Sequence, residues 1–188
     1  RPGSMAAVLG LTAEQIDEVL RAVNLPRDLA AANYNSPGQV VLSGTPEALL
    51  RGGEEAKRIG AKKVIPLQVS AAFHSPLMEA AVWSLNEALD AVTIAKAAFP
   101  VYANVSAEPV TDPASIRATL RAQLLGAVRW EQTLRAMIAT GVRSFVEVGH
   151  GKVLRGLVRG VDKEAALFGS DEPETLEAAA QALMGAPA

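Results

Sequence analysis

Between Met5 and Val69 short apolar runs alternate with amphipathic stretches, and their order narrows the possible folds more than any other feature of the chain. Met5-Ala6-Ala7-Val8-Leu9 has the length and composition of a strand. Thr12 is placed to cap a helix whose Ile16, Val19, Leu20 and Val23 fall on one face. Residues 29–33 and 39–42 read as two strands joined by the turn Asn35-Ser36-Pro37-Gly38. Thr45-Pro46 then opens a second helix ending near Gly60, ahead of a strand rich in Val and Ile at 63–69. Strand, helix, strand, strand, helix, strand is the order of the ferredoxin-like split motif. Residues 5–70 are therefore expected to form a ferredoxin-like small subdomain.

From residue 71 to residue 188 the helices lengthen. Ser75 and Pro76 suit the cap and first position of a helix running to about 91. A strand at 99–103, helices near 113–125 and 130–140, and a strand at 144–148 follow. A helix after Gly151, a strand at 166–168 and a helix from Glu172 complete the pattern. Strands alternating with helices favour parallel pairing, so 71–188 is expected to be an α/β layer. With roughly three strands it would be thin, which implies that its other strands belong to residues outside this chain. The fold class expected for the whole is α/β.

One segment stands out for chemistry. Ala72-Phe73-His74-Ser75-Pro76-Leu77-Met78 sets one of only two histidines at a strand-to-helix junction. Imidazole is the side chain best suited to exchange a proton near neutral pH. Composition removes several alternatives. The absence of cysteine excludes thiolate catalysis and cysteine-ligated metal centres, and two histidines are too few for a multi-histidine metal site. A net charge of −2 gives no footprint for nucleic acid or an acidic membrane surface. No apolar run reaches the roughly 18 residues of a membrane span, and the start lacks the apolar stretch of a signal peptide. A cytoplasmic setting is the expectation.

Four segments then fall into one pattern: 33–44 (Asn-Tyr-Asn-Ser-Pro-Gly-Gln-Val-Val-Leu-Ser-Gly), 72–78, Gln123 with Val128-Arg129-Trp130, and 147–154 (Glu-Val-Gly-His-Gly-Lys-Val-Leu). In order and spacing they resemble the malonyl-CoA:acyl carrier protein transacylase family. The resemblance covers essentially the whole chain and corresponds to the last two-thirds or so of a family member. It implies a ferredoxin-like subdomain followed by the C-terminal part of an α/β-hydrolase-like acyltransferase subdomain, with the active site between them. It also implies the reaction: a serine attacks malonyl-CoA, a histidine takes its proton, and the thiol of acyl carrier protein resolves the acyl-serine. No cofactor is implied, coenzyme A thioester being a substrate. By this match His74 is the base, and the backbone carbonyl of Gln123 fixes its tautomer. Asn35 lines the cleft and orders it through hydrogen bonds; read from the residues alone it is equally a turn residue using its side chain as a cap. Phe73, directly before the base, matches the signature of malonyl rather than methylmalonyl selection.

The chain departs from the family in three places. No serine lies in G-x-S-x-G, so the nucleophile and the carboxylate-binding arginine are expected in an N-terminal segment outside this sequence, and the chain alone is expected to be inactive. His150 stands where the family has proline, as a surface-loop substitution. Gly126-Ala127 replace the usual Asn-Pro or Ser-Pro, which would loosen the segment carrying Gln123. Two other readings stay open: a non-catalytic ferredoxin-like module that binds a ligand or carrier protein, and an acyltransferase domain of a polyketide synthase.

Overall fold

Met5 to Val8 are all buried because both faces of strand β1 (Ser4–Leu9) are covered, which is why this strand is a continuous apolar run. A computed structural model describes residues 2–184. Helix α1 (Ala13–Val23) starts at the expected cap: Thr12 Oγ1 accepts from Gln15 N at 3.3 Å, and Gln15 Oε1 accepts from Thr12 N at 2.9 Å. Strands β2 (Leu29–Ser36) and β3 (Gln39–Gly44), helix α2 (Pro46–Ile59) and strand β4 (Lys63–Pro66) complete the motif. The sheet order is β2-β3-β1-β4 with every neighbour antiparallel, the ferredoxin-like arrangement. Ile16 and Val19 of α1 and Ala48, Leu49 and Ala56 of α2 pack on one face, against Ala6, Val8, Val40 and Leu42. Met5, Ala7, Ala32 and Val41 form a second cluster with Leu67 packed against it.

Strand β2 corrects the sequence reading. It extends to Ser36, so the turn shrinks to Pro37 and Gly38, the glycine taking φ 76°. The β2–β3 register shifts twice, leaving Ala32 and Asn35 without a residue opposite. Asn35 is thus a bulge residue within a strand, not a turn residue.

The next segment also departs from expectation. Residues 76–91 are not one helix: Pro76–Ala81 form a 3-10 turn that leads into helix α3 (Val82–Ala91). The strand expected at 99–103 is short (β5, Val101–Ala103) and pairs antiparallel with β6 (Glu108–Val110), not with a parallel layer. A local hairpin forms because the intervening turn carries Ala107 in the left-handed region, φ 59°, and folds the chain straight back. Helix α4 (Pro113–Gln123) is capped by Asp112, whose carboxylate accepts from Ser115 N at 2.9 Å. Arg121 of α4 pairs with Asp90, and Arg117 donates to the Val92 carbonyl at 2.9 Å, fastening α4 to the end of α3.

Two compact units divide within helix α5 (Trp130–Ala139), one ending at Thr133 and the other beginning at Leu134. The second contains β7 (Ser144–Glu147), α6 (Val153–Val161), β8 (Ala166–Gly169) and α7 (Pro173–Met184). Here the expected parallel pairing is present, with Ser144 opposite Ala166 and Glu147 opposite Gly169. Glu147 organises the unit. Its carboxylate accepts from Leu154 N and Arg155 N, both at 3.0 Å, and so caps a helix whose own cap residue, Lys152, offers no side-chain bond. Arg155 then reaches both Glu147 at 3.3 Å and Asp171 at 3.1 Å. The Arg155 amide and neighbouring backbone donors hold the Glu147 carboxyl below the usual carboxylate range; Asp171 is lowered chiefly by its own backbone and further by the Arg155 charge.

This predicts acid sensitivity with a definite sign. Both carboxylates bind protons less readily folded than unfolded, so their contribution is complete above their ordinary values of 4.5 and 3.8 and is lost as pH falls through the lowered ones. Urea midpoints of the protein should fall between about pH 5 and pH 3, and Asp171→Asn should flatten that decline. An acid limb unchanged by the substitution would exclude this account.

Candidate active site

His74 occupies the second of two linking residues after Ala72, and its backbone lies in the left-handed region at φ 56°. Such a conformation is uncommon for a non-glycine residue, and tight tertiary contacts must hold it. Ser75 supplies one of them. Its Oγ donates to the Ala72 carbonyl at 2.7 Å and accepts from Leu77 N at 3.3 Å, closing the turn around His74 and starting the 3-10 segment. Ala72 is buried beneath the turn and His74 is half-buried.

Gln123 is the last residue of α4, so its carbonyl is among those a helix cannot satisfy internally. That carbonyl lies 3.2 Å from His74 Nδ1. The side-chain amide of Gln123 lies 3.4 Å from the same nitrogen, but it donates to the Gly126 carbonyl at 2.9 Å. The assignment that satisfies every group has Nδ1–H donating to the carbonyl, which leaves Nε2 as the free acceptor of the ring. The two residues are 49 positions apart in sequence.

The segment beyond Gln123 is pinned, not loose. Gly126 N donates to the Ala122 carbonyl at 3.0 Å, Val128 N to Ala32 at 2.7 Å, Tyr34 N to Val128 at 2.8 Å and Arg129 N to Asn104 at 2.8 Å. Val128 thereby forms a parallel bridge with Asn33 at the edge of the ferredoxin-like sheet. The loosening expected from Gly126-Ala127 is absent because main-chain bonds on both sides hold this stretch.

Of the four residues singled out by sequence, His74 and Gln123 are in direct contact. Phe73 precedes His74 and is 38% exposed. Asn35 is half-buried at the second bulge of β2, two residues along from the Asn33–Val128 bridge, and no hydrogen bond joins it to His74 or Gln123. Three features escaped the sequence reading: the left-handed backbone at His74, the two bulges, and the Gln123–Gly126 latch. Only the last had a sequence signal, in the unusual glycine. No group of three or more His, Asp or Glu among the described residues is arranged to hold a metal ion, and no helix among them is long and apolar enough to cross a membrane.

Comparison with known proteins gives this geometry a context. A family model described as the acyl transferase domain matches residues 1–186. The malonyl CoA-acyl carrier protein transacylase of Bacillus subtilis (strain 168) is 45% identical over 182 residues, 96% of this chain and 57% of that protein. Among solved structures, an acyl-carrier-protein-S-malonyltransferase from Bartonella henselae aligns with a TM-score of 0.92 at 38% identity, over 98% of this chain and 59% of that one. A malonyl-transacylase in complex with a type II polyketide synthase acyl-carrier protein aligns with a TM-score of 0.91 at 34% identity, over 95% of this chain and 58% of that one. The chain thus spans a little over half the length of these relatives, and His74 and Gln123 both fall within the matched stretch: it belongs to the acyl transferase domain family.

Proposed function

We propose that this chain supplies the proton-transferring part of an enzyme that moves a malonyl group from coenzyme A to the phosphopantetheine thiol of acyl carrier protein, in fatty-acid biosynthesis in the cytoplasm. The observation that supports it most is the contact between His74 Nδ1 and the Gln123 carbonyl. A main-chain acceptor there does what a buried carboxylate does in other serine enzymes: it holds the ring in one tautomer and one orientation. The division into a ferredoxin-like part at 5–70 and an acyltransferase part at 71–188 belongs to the same reading.

The chemistry follows from Nε2. A serine hydroxyl, which this sequence does not present in G-x-S-x-G, attacks the malonyl thioester carbonyl as Nε2 of His74 takes its proton. The carbon–sulfur bond breaks and the departing coenzyme A thiolate takes that proton back from the ring. In the second half Nε2 deprotonates the carrier thiol, the thiolate attacks the acyl-serine, and the serine oxygen leaves with the proton. Asn35 lines the cleft and orders it through hydrogen bonds. The full polypeptide carrying this sequence should convert holo-carrier protein to its malonyl form, read by intact mass, when given malonyl-CoA. No malonyl-carrier product under conditions where the protein is folded would end this reading.

Phe73 sets the acyl choice on the same proposal. Its ring, adjacent to the base, fills the space an α-methyl group would need, and excluding one methyl is worth about 10- to 200-fold in kcat/KM. Phe73→Ser should therefore raise the methylmalonyl-to-malonyl ratio by roughly tenfold or more. Competition of the two coenzyme A esters measures it, and an unchanged ratio would remove Phe73 from the specificity argument.

A further inference from the structure

The chain enters and leaves the ferredoxin-like sheet side by side. Leu67 N, just past β4, donates to the Met5 carbonyl at 2.9 Å. Further out, Gly3 lies against Ala72, the buried residue beneath the His74 turn. The two backbones approach closely. A Cβ on Gly3 would stand 2.6 Å from Ala72 Cβ, 2.7 Å from its nitrogen and 3.2 Å from its Cα. None of these atoms can rotate out of the way, so a side chain at position 3 would have to displace backbone.

Which backbone gives way is set by what each one joins. Gly3 runs directly into β1, where Ser4 pairs with Gly44 and Met5 with Ser43. Ala72 belongs to a linking segment, and its carbonyl accepts from Ser75 Oγ at 2.7 Å, the bond that closes the turn around His74. A displaced Ala72 takes that carbonyl with it. His74 stands inside the turn at φ 56°, a conformation that only its surroundings maintain. Its Nδ1 meets the Gln123 carbonyl at 3.2 Å, already at the long end of hydrogen-bond distances, so a shift of a few tenths of an ångström breaks the contact.

We propose that Gly3 is a positioning residue for His74: its bare Cα lets the entry to β1 press on Ala72, which fixes the floor of the turn and holds the ring against Gln123. The inference rests on reading His74 as the base, and its test reads the ring separately from the activity.

The test compares Gly3→Ala with Ser75→Ala and Val19→Ala in the full polypeptide carrying this sequence. Val19 is fully buried on the helix face of the sheet, so truncating it costs stability without touching the turn. ¹⁵N-histidine labelling reports the Nδ1–H of His74, assigned by its disappearance in His74→Asn. The unsubstituted protein and Val19→Ala should both show that proton shielded from solvent exchange. In Gly3→Ala it should exchange freely while circular dichroism stays native, and kcat should fall by about 10²-fold with KM little changed. Ser75→Ala should act in the same direction through the other end of the turn. Combining the two should lower kcat no further than the worse of them, because both work through one path.

A folded Gly3→Ala protein that keeps a shielded Nδ1–H would overturn the proposal whatever its activity. So would kcat losses that multiply in the double variant, or a Val19→Ala protein as impaired as Gly3→Ala. If Gly3→Ala alone does not fold, Gly3→Ala with Ala72→Gly removes the 2.6 Å contact and leaves the 2.7 Å one. That pair carries the same expectation, with Ala72→Gly alone as its reference. A ring proton set free in Gly3→Ala with kcat unchanged would instead end the reading of His74 as the base, and this role with it.

Discussion

Replacing His74 by alanine in the active enzyme is expected to lower malonyl transfer by at least about 10²-fold, since a positioned general base typically contributes 10²–10⁴. On the proposed mechanism the loss should appear in kcat, because the imidazole would act on the serine and thiol protons and not on the malonyl group. Stability should change little. The turn is held by Ser75, whose Oγ bonds to Ala72 and Leu77 do not involve the ring, so it survives loss of the imidazole. His74→Asn is the sharper control, because asparagine tolerates this backbone and cannot act as a base. Thermal melting and single-turnover acylation of both variants decide the matter. A large drop in melting temperature with most of the activity kept would make His74 a packing residue.

The second large effect is an absence. The 188-residue polypeptide by itself should form no acyl-enzyme with malonyl-CoA and no malonyl-carrier product. Its serines are unsuited to attack. Ser75, next to His74, is 1% exposed and spends its hydroxyl on the Ala72 carbonyl and the Leu77 amide. Ser43 is fully buried in β3, and none of the serines lies in G-x-S-x-G. A base without a nucleophile and oxyanion donors within about 3 Å of one carbon cannot turn over this reaction. Trp83, Phe99 and Val148 are 69%, 72% and 84% exposed, so the isolated polypeptide should also self-associate. Adding a separately produced segment bearing G-H-S-x-G should restore transfer, with each half alone as control. Turnover by the 188 residues alone would mean the nucleophile has been misplaced.

The β-α-β-β-α-β order was legible because each element announces itself locally: a capping box at Thr12, a Pro at the start of α2, short apolar runs in β1 and β3, and a Val–Ile pair in β4. The antiparallel β5–β6 hairpin was not, since three residues reading Glu108-Pro109-Val110 carry no strand period and a proline besides. At the site, His74 could be singled out as a chemical group, but its backbone conformation could not, because a left-handed histidine is imposed by the turn it closes and not by its neighbours in sequence. Gln123 was reachable only through family resemblance. A main-chain carbonyl has no letter in the sequence, and its usefulness arises from standing at the end of α4 opposite a ring 49 residues away.

The two bulges of β2 have a consequence for how this strand can change in length. Leu29 and Ala31, odd positions, face the helices, yet so does Tyr34, an even one, because Ala32 adds a residue that β3 does not match. Parity flips once at Ala32 and again at Asn35, so Ser36 meets Gln39 in the frame in which Leu29 met Gly44. Losing a single residue between Leu29 and Tyr34 would remove the first bulge, restore plain alternation and leave Tyr34 opposite Val40 on the helix side. The two bulges are thus the places where β2 can shed a residue, one at a time, without inverting a face of the sheet.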